Sequence, residues 1–123
     1  MTDPILHTCR ILVVEDEYIL AADLEMELLD AGAIVLGPFG TLETAIEFIR
    51  MEQEIDGAIL DVNLRGEMIF PVADLLVERG VPFVLTTGYD ESVIPSRLKH
   101  SPRCEKPISM AKITQAIGRL IQT

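Results

Sequence analysis

The feature that most constrains the fold is the stretch of residues 57–64, a short apolar run that carries a single carboxylate at Asp61. An apolar run of this length that begins at glycine is typical of a buried strand. Four other runs also have the character of strands, at residues 10–14, 33–36, 83–86 and 102–105. Strands that alternate with helices through short connections predict a parallel sheet with right-handed crossovers. The sequence therefore predicts a doubly wound α/β domain with five parallel strands and helices on both faces.

Apolar residues between these strands recur at helical spacing. The periodicity predicts four helices, which begin near residues 17, 41, 70 and 109. Residues 90–100 contain a proline in their middle, which removes a helical hydrogen bond and clashes with the preceding turn. We expect at most a short or irregular helix in that segment.

At 123 residues the chain is expected to be one domain, too short to carry an attached effector module. We expect a loose N-terminal leader at residues 1–9 and a folded unit at residues 10–123. Gly37-Pro38 is expected to close the second strand, and residues 63–68 to form a loop. No apolar run approaches the roughly 18 to 20 residues of a membrane span, and the N-terminus lacks the order of a signal peptide. A cytoplasmic location without a membrane partner is therefore expected.

The formal net charge of −10 bears on the class of partner. Sequence-independent nucleic-acid binding rests on neutralising phosphates with Lys and Arg, and the sequence has no basic cluster. We therefore expect no nucleic-acid partner. The cysteines, Cys9 and Cys104, are expected to be reduced and to serve packing, as in a reducing cytosol.

Polar side chains follow the strands of the predicted sheet where each strand ends. Glu15 and Asp16 follow the first strand, Asp61 ends the third, Thr87 follows the fourth and Lys106 follows the fifth. Sites in open parallel sheets form at the carboxyl ends of the strands, so these side chains are expected to share one crevice.

The three carboxylates of this group favour a magnesium site. Crowded carboxylates repel one another unless a cation is present. Mg²⁺ prefers oxygen ligands, keeps several waters and takes one or two carboxylates. We expect direct ligation by Asp16 and Asp61, with Glu15 acting through water and a backbone carbonyl near Asn63 completing the shell.

Asp61 is also a candidate nucleophile, because an aspartate carboxylate can form an aspartyl-phosphate. Phosphoryl transfer needs positioning and charge stabilisation more than it needs an acid or a base. Lys106 is expected to contact one phosphoryl oxygen, and the Thr87 hydroxyl with nearby backbone N–H groups another.

These residues resemble the receiver domain of two-component response regulators. The resemblance covers nearly the whole chain and agrees with the expected flavodoxin-like strand order 2-1-3-4-5. It is carried by Val13-Val14-Glu15-Asp16-Glu17, Leu60-Asp61-Val62-Asn63-Leu64, Thr87-Gly88 and Lys106-Pro107.

The resemblance implies that Asp61 accepts a phosphoryl group from a phosphohistidine on a sensor histidine kinase or histidine phosphotransferase. It implies Mg²⁺ on Asp16 and Asp61 with help from Glu15, and contact of Lys106 with the phosphoryl group. It further implies that Thr87 moves toward that group on activation. Such a protein catalyses only its own phosphorylation and dephosphorylation and signals through protein contacts, as a relay, a sink or an allosteric switch.

The run from Pro82 to Tyr89 is similar to a narrower, commonly stand-alone subfamily, the Pro-Phe-x-Phe-Ala-Thr-Gly-Tyr receivers, from which Leu85 and Thr86 depart. The aromatic residue that most receivers place three positions before the lysine is here Arg103. We therefore expect another element, residues 90–100, to report phosphorylation. In addition, Asn63 and Tyr89 occupy positions at which receivers set the lifetime of the phosphoryl group.

Ile19, Ala22 and Met26 form an apolar stripe on the first helix, apart from its core-facing leucines. Receivers dock phosphodonor helical bundles through this helix, so the stripe is a candidate partner surface, or else a set of singly exposed apolar residues. The oligomeric state stays open.

Two other functions remain as alternatives. One is a Mg²⁺-dependent phosphoaspartyl phosphatase of the haloacid-dehalogenase type, which usually carries an aspartate two residues after its nucleophile, where this chain has Asn63. The other is a degenerate receiver that acts only as a binding module.

Overall fold

The computed structural model describes residues 5–88 and 91–122 of the chain. Five of its strands form one parallel sheet in the order β2-β1-β3-β6-β7, and β4 and β5 form a separate antiparallel pair. The strands are β1 Arg10–Val14, β2 Ile34–Phe39, β3 Gly57–Asp61, β4 Asn63–Leu64, β5 Glu67–Met68, β6 Phe83–Thr87 and β7 Arg103–Glu105. β6 and β7 are the fourth and fifth strands of the parallel sheet, so its order is the predicted flavodoxin-like order 2-1-3-4-5. The predicted fold is therefore confirmed.

Helices cover both faces of the sheet. They are α1 Tyr18–Asp30, α2 Leu42–Met51, α3 Phe70–Glu78 and α4 Met110–Gln122. One apolar cluster lies between the sheet and α2 with α3, and a second lies between the sheet and α1 with α4. Strands buried on both faces carry apolar residues in succession, and β3 and β6 are buried at every position. No described helix is both long enough and apolar enough to cross a membrane.

The end of β2 differs from the expectation. Gly37-Pro38 was expected to close the strand, but β2 continues through it to Phe39. The register with β1 shifts between Leu12 and Val14, so the chain bulges at Gly37-Pro38 and then pairs again. The proline is tolerated because β2 is an edge strand, where the missing N–H costs no ladder hydrogen bond.

The expected loop at residues 63–68 is instead a β-hairpin, in which a two-residue turn joins β4 to β5. Its turn residues, Arg65 and Gly66, have φ values of 52° and 95°. Positive φ at both central residues is the property of a type I′ turn, whose twist matches that of paired strands. The side chain of Asn63 accepts a hydrogen bond from the Gly66 backbone N–H and closes the hairpin.

Residues 5–9 are not loose, contrary to the expected leader. The Leu6 side chain is fully buried in the cluster beneath α1 and α4. The Leu6 N–H donates to the Ala31 carbonyl and the Thr8 N–H to the Gly32 carbonyl, both at 2.9 Å. Two adjacent apolar residues, Ile5 and Leu6, show no periodicity and give no sequence signal for such docking.

The proline-containing segment forms two 3₁₀ turns, Glu91–Val93 and Ser96–Leu98, as expected for a short irregular helix. Arg97 of the second turn makes two hydrogen bonds of 2.9 Å to the Asp74 carboxylate on α3. The segment is therefore tied to α3 by side chains, in addition to the burial of Ile94 and Leu98.

Candidate functional site

Backbone hydrogen bonds place the expected site residues at one edge of the sheet. The Glu15 N–H donates to the Phe39 carbonyl, so the continuation of β2 past its bulge fixes the chain that leaves β1. Asp61 is the register partner of Thr86 on β6. The Lys106 N–H donates to the Thr87 carbonyl, which extends the β6–β7 pairing to the lysine.

Glu15, Asp16 and Asp61 bring carboxylate oxygens within 4.8 Å of one another. Glu15 and Asp61 are almost fully buried, and the Asp16 side chain is 12% exposed. The predicted crowding of three carboxylates at the ends of β1 and β3 is therefore present.

The buried Glu15 carboxyl is only partly satisfied. Its Oε2 accepts a hydrogen bond from the Glu17 N–H at 3.0 Å, whereas Oε1 has no hydrogen-bond partner among the described residues. Burial is the main reason that the pKa of Glu15 is raised from 4.5 to about 7, and the neighbouring Asp61 adds to the shift. The Glu17 N–H and the Lys106 charge act in the opposite direction.

Lys106 is the cation at the centre of the site. Its Nζ lies 3.2 Å from Asp61 Oδ2, 3.6 Å from Glu15 Oε1 and 3.7 Å from Glu17 Oε2. Burial disfavours the charged lysine, but the attraction of Asp61, Glu15 and Glu17 outweighs it, and the pKa of Lys106 is raised.

Both oxygens of Asp61 are held in place. Oδ1 accepts the Asn63 N–H at 3.2 Å and Oδ2 accepts the Lys106 ammonium at 3.2 Å. The carboxylate is therefore fixed in orientation, with one edge turned to a backbone donor and the other to a cation. Such a carboxylate is a positioned nucleophile rather than a solvated surface acid.

The remaining expected residues fall in different places. Thr87 is buried at the end of β6 beside β7, as predicted from its strand-end position. Arg103 lies on β7, and its guanidinium donates to the Lys99 carbonyl at 2.6 Å, next to the second 3₁₀ turn. Tyr89 lies outside the described residues. The predicted roles of Asn63 and Arg103 in tuning the site stay predictions.

The oxygen cluster fits a magnesium ion. Mg²⁺ takes octahedral oxygen ligands at about 2.1 Å, which places opposite ligands about 4.2 Å apart. Carboxylate oxygens within 4.8 Å of one another reach that spacing after a small inward shift. The buried Glu15 Oε1 without a hydrogen-bond partner is an oxygen that a cation or its water would satisfy.

Two charged residues at the site were not expected from the sequence. Glu17 provides a third carboxylate to Lys106, and Arg65 from the β4–β5 turn contacts Asp16, with Nε 3.2 Å from Oδ2. In the sequence, Arg65-Gly66 indicates a turn. The contact between the Arg65 side chain and Asp16 depends on the positive φ values of that turn, which the sequence does not predict. The crevice is lined by Asp16, Glu17, Asp61, Asn63, Arg65, Gly66, Gly88 and Lys106.

Comparison with known proteins gives the family. No family model matches the chain. SdrG from Sphingomonas melonis Fr1, solved in solution, is 35% identical over the full length of both chains, with a TM-score of 0.80. Its BeF3-activated conformation has also been solved. A response regulator receiver protein from Sinorhizobium medicae WSM419 is 28% identical, covers 96% of this chain and 98% of its own, and has a TM-score of 0.82.

Among curated proteins, the transcriptional regulatory protein PdtaR of Mycobacterium tuberculosis is 26% identical over 88% of this chain. The chain spans about half the length of this relative, 54%. The chain belongs to the response regulator receiver domains, and the relatives support a phosphoacceptor role. The narrower Pro-Phe-x-Phe-Ala-Thr-Gly-Tyr assignment stays a prediction.

The raised pKa of Glu15 leads to a test of the site in the metal-free protein. The folded chain keeps this proton up to about pH 7, whereas the unfolded chain releases it near pH 4.5. The contribution to the free energy of unfolding is therefore fully present below pH 4.5 and is lost as pH rises toward 7. Relative to Glu15→Gln, wild-type stability should fall by on the order of 2 kcal/mol across this window.

Urea denaturation at several pH values in EDTA measures this difference. Glu78→Gln, a change at an exposed glutamate on α3, is the matched control and should follow wild type at each pH. A wild-type stability that, relative to Glu15→Gln, stays constant or rises between pH 4.5 and 7 would contradict the raised pKa.

Proposed function

We propose that this receiver accepts a phosphoryl group on Asp61 from the phosphohistidine of a sensor histidine kinase or a histidine phosphotransferase. The observation that carries the proposal is the buried Asp61 carboxylate, held between a backbone N–H and the Lys106 ammonium beside two further acids. Acids that were merely solvated at strand ends would have no reason to be buried around one lysine.

The transfer is a displacement at phosphorus. An Asp61 oxygen supplies the electron pair for the new O–P bond, the N–P bond of the phosphohistidine breaks, and its electron pair stays on the imidazole nitrogen. Phosphoryl transfer depends on positioning and charge stabilisation more than on a base. Lys106, now 3.2 Å from Oδ2, lies within reach of an oxygen of a phosphoryl group placed on that carboxylate.

Asp16 and Asp61, with Glu15 through water and a carbonyl near Asn63, would hold Mg²⁺. When bound, the ion supplies positive charge against the phosphoryl oxygens, which lowers the repulsion between the acids and the anionic donor. The Thr87 hydroxyl, at the end of the neighbouring strand, is proposed to contact a phosphoryl oxygen. The BeF3-activated form of SdrG is in keeping with phosphoryl chemistry of this kind in a relative.

The proposed partner surface is the apolar stripe on α1. Ile19 is 76% exposed and Met26 is 68% exposed, and Ala22 is exposed between them. An open groove next to the stripe runs from Tyr18 to Lys106 and Pro107, so the stripe continues to the phosphorylation site. A helical bundle packed on these residues would bring its histidine to the mouth of the crevice.

Signalling is proposed to run through protein contacts, without catalysis beyond the chain's own phosphorylation and dephosphorylation. The segment with the two 3₁₀ turns is the proposed reporter of phosphorylation. Arg103 on β7 donates a hydrogen bond to the carbonyl of Lys99, which directly follows the second turn. The segment itself forms only short turns and no regular helix among its described residues, which favours low local stability. A cytoplasmic location and the absence of a nucleic-acid partner belong to the same proposal. Among the residues that the structure describes, no contact of the site favours a phosphatase, since Asn63 replaces the expected acid and closes the hairpin.

Intact-protein mass spectrometry after incubation with acetyl phosphate tests the phosphoacceptor. Wild type with Mg²⁺ should gain about 80 Da, one phosphoryl group, and EDTA should remove the gain. Asp61→Asn should gain nothing because it lacks the nucleophilic oxygen. The same change at Asp74, on α3 and away from the crevice, should leave the gain intact.

An equal mass gain in Asp61→Asn would contradict the assignment of the phosphoacceptor. Failure of wild type to form any adduct at short times and low temperature, together with retained partner binding by Asp61→Asn, would favour the degenerate receiver that acts only by binding.

The partner surface is tested by comparing two phosphodonors. In a variant carrying Ile19→Ala and Met26→Ala, transfer from a purified phosphorylated histidine phosphotransferase should slow by about tenfold or more, because apolar contact area is lost. The rate with acetyl phosphate should not change, since that donor needs no docking surface. The variant with Met51→Ala and Val77→Ala, exposed apolar residues elsewhere, is the matched control. Equal slowing with both donors would count against docking.

A further inference from the structure

Arg65 occupies an unusual backbone position for an arginine. It is the first central residue of the β4–β5 turn, with φ of 52°, in the left-handed region that glycine and asparagine adopt most easily. The turn is closed by Asn63 and Gly66, so the direction in which the Arg65 side chain leaves the hairpin is fixed. Glycine and asparagine, which adopt this backbone conformation most easily, have no guanidinium to place there.

The guanidinium is directed at the candidate metal site. Arg65 Nε donates to Asp16 Oδ2 at 3.2 Å, although the Arg65 side chain is 82% exposed and the Asp16 side chain only 12%. Asp16 is one of the three acids that converge on the site, and Arg65 lines the same crevice as Asp61. An exposed side chain thus places a positive charge on a carboxylate that a divalent cation would use.

The acids of the site are divided between two cations. Lys106 contacts Asp61 and Glu15, and Arg65 contacts Asp16. Lys106 has a part in phosphoryl binding, but Arg65 has no such part in the proposed function. Its position on Asp16 neutralises one acid in the metal-free protein.

We propose that Arg65 is a tethered competitor of the divalent cation, which occupies Asp16 in the metal-free protein and leaves it when the ion binds. A guanidinium and a divalent cation on one carboxylate repel each other, so binding of the ion requires the Arg65–Asp16 contact to open. Arg65 can open readily, because an exposed arginine loses little by returning to solvent. Arg65 thereby weakens metal affinity and makes it dependent on the conformation of the hairpin.

This inference rests on the proposed metal site at Glu15, Asp16 and Asp61. Isothermal calorimetry of Mg²⁺ binding to the full chain tests it without any phosphoryl donor. Arg65→Asn removes the charge and keeps a residue that tolerates positive φ, so the hairpin is preserved. We expect this variant to bind Mg²⁺ about 5- to 10-fold more tightly than wild type. Arg65→Lys keeps the charge and should lie between the two.

Arg97→Asn is the matched control, because it removes an equally charged, exposed side chain that pairs with Asp74 away from the crevice. Its Mg²⁺ affinity should equal that of wild type, which separates a local effect from a change in net charge. Unchanged or weaker binding by Arg65→Asn, beside measurable binding by wild type, would overturn the role of Arg65 and leave the metal site standing. Absence of Mg²⁺ binding in wild type and in Arg65→Asn would overturn both.

Discussion

The site depends on the placement of buried carboxylates around one lysine. Glu15 and Asp61 are held at the ends of adjacent central strands, where the sheet removes them from water. Their repulsion and burial are opposed by the Lys106 ammonium, which reaches both acids. Buried charges persist when they are paired or when they bind a cation, and Glu15 Oε1 has an ion pair to Lys106 at 3.6 Å but no hydrogen-bond partner among the described residues. The crevice is therefore suited to positively charged and phosphoryl ligands before either arrives.

Much of this arrangement could be predicted from the sequence because its determinants are local. Short apolar runs indicate the strands and period-3.6 patterns indicate the helices, and parallel strands bring their carboxyl ends to one edge. That is enough to place Asp61 beside Lys106 and to place Thr87 at the end of the neighbouring strand. The capping of α2 is equally local, since Thr41 accepts the Thr44 N–H.

The features that were missed depend on contacts distant in sequence or on unusual backbone geometry. The continuation of β2 past Gly37-Pro38 requires β1 to resume pairing with Phe39, which no local pattern specifies. The burial of Leu6 requires the gap beneath α1 and α4. The reach of Arg65 to Asp16 follows from two successive positive φ values in the hairpin, whereas arginine and glycine in sequence predict only a turn.

Two of these missed features bear on the site. The resumed β2 pairing holds Glu15 through the Phe39 carbonyl, and the hairpin brings Arg65 to Asp16. The loops around this site thus do more than connect its strands, because they determine which charged side chains contact the acids. This gives a physical reason for differences among receivers that share the same acids and lysine.

The most direct test of the central claim is ¹⁹F NMR of the protein with beryllofluoride, which coordinates an aspartate carboxylate as a phosphoryl group does. If Asp61, its neighbouring acids and Lys106 form one phosphoryl-binding site, wild type should show protein-bound fluoride resonances that require Mg²⁺. Asp61→Asn should show none. Bound resonances that persist in Asp61→Asn, or that are absent from wild type at saturating Mg²⁺ and beryllofluoride, would contradict the account.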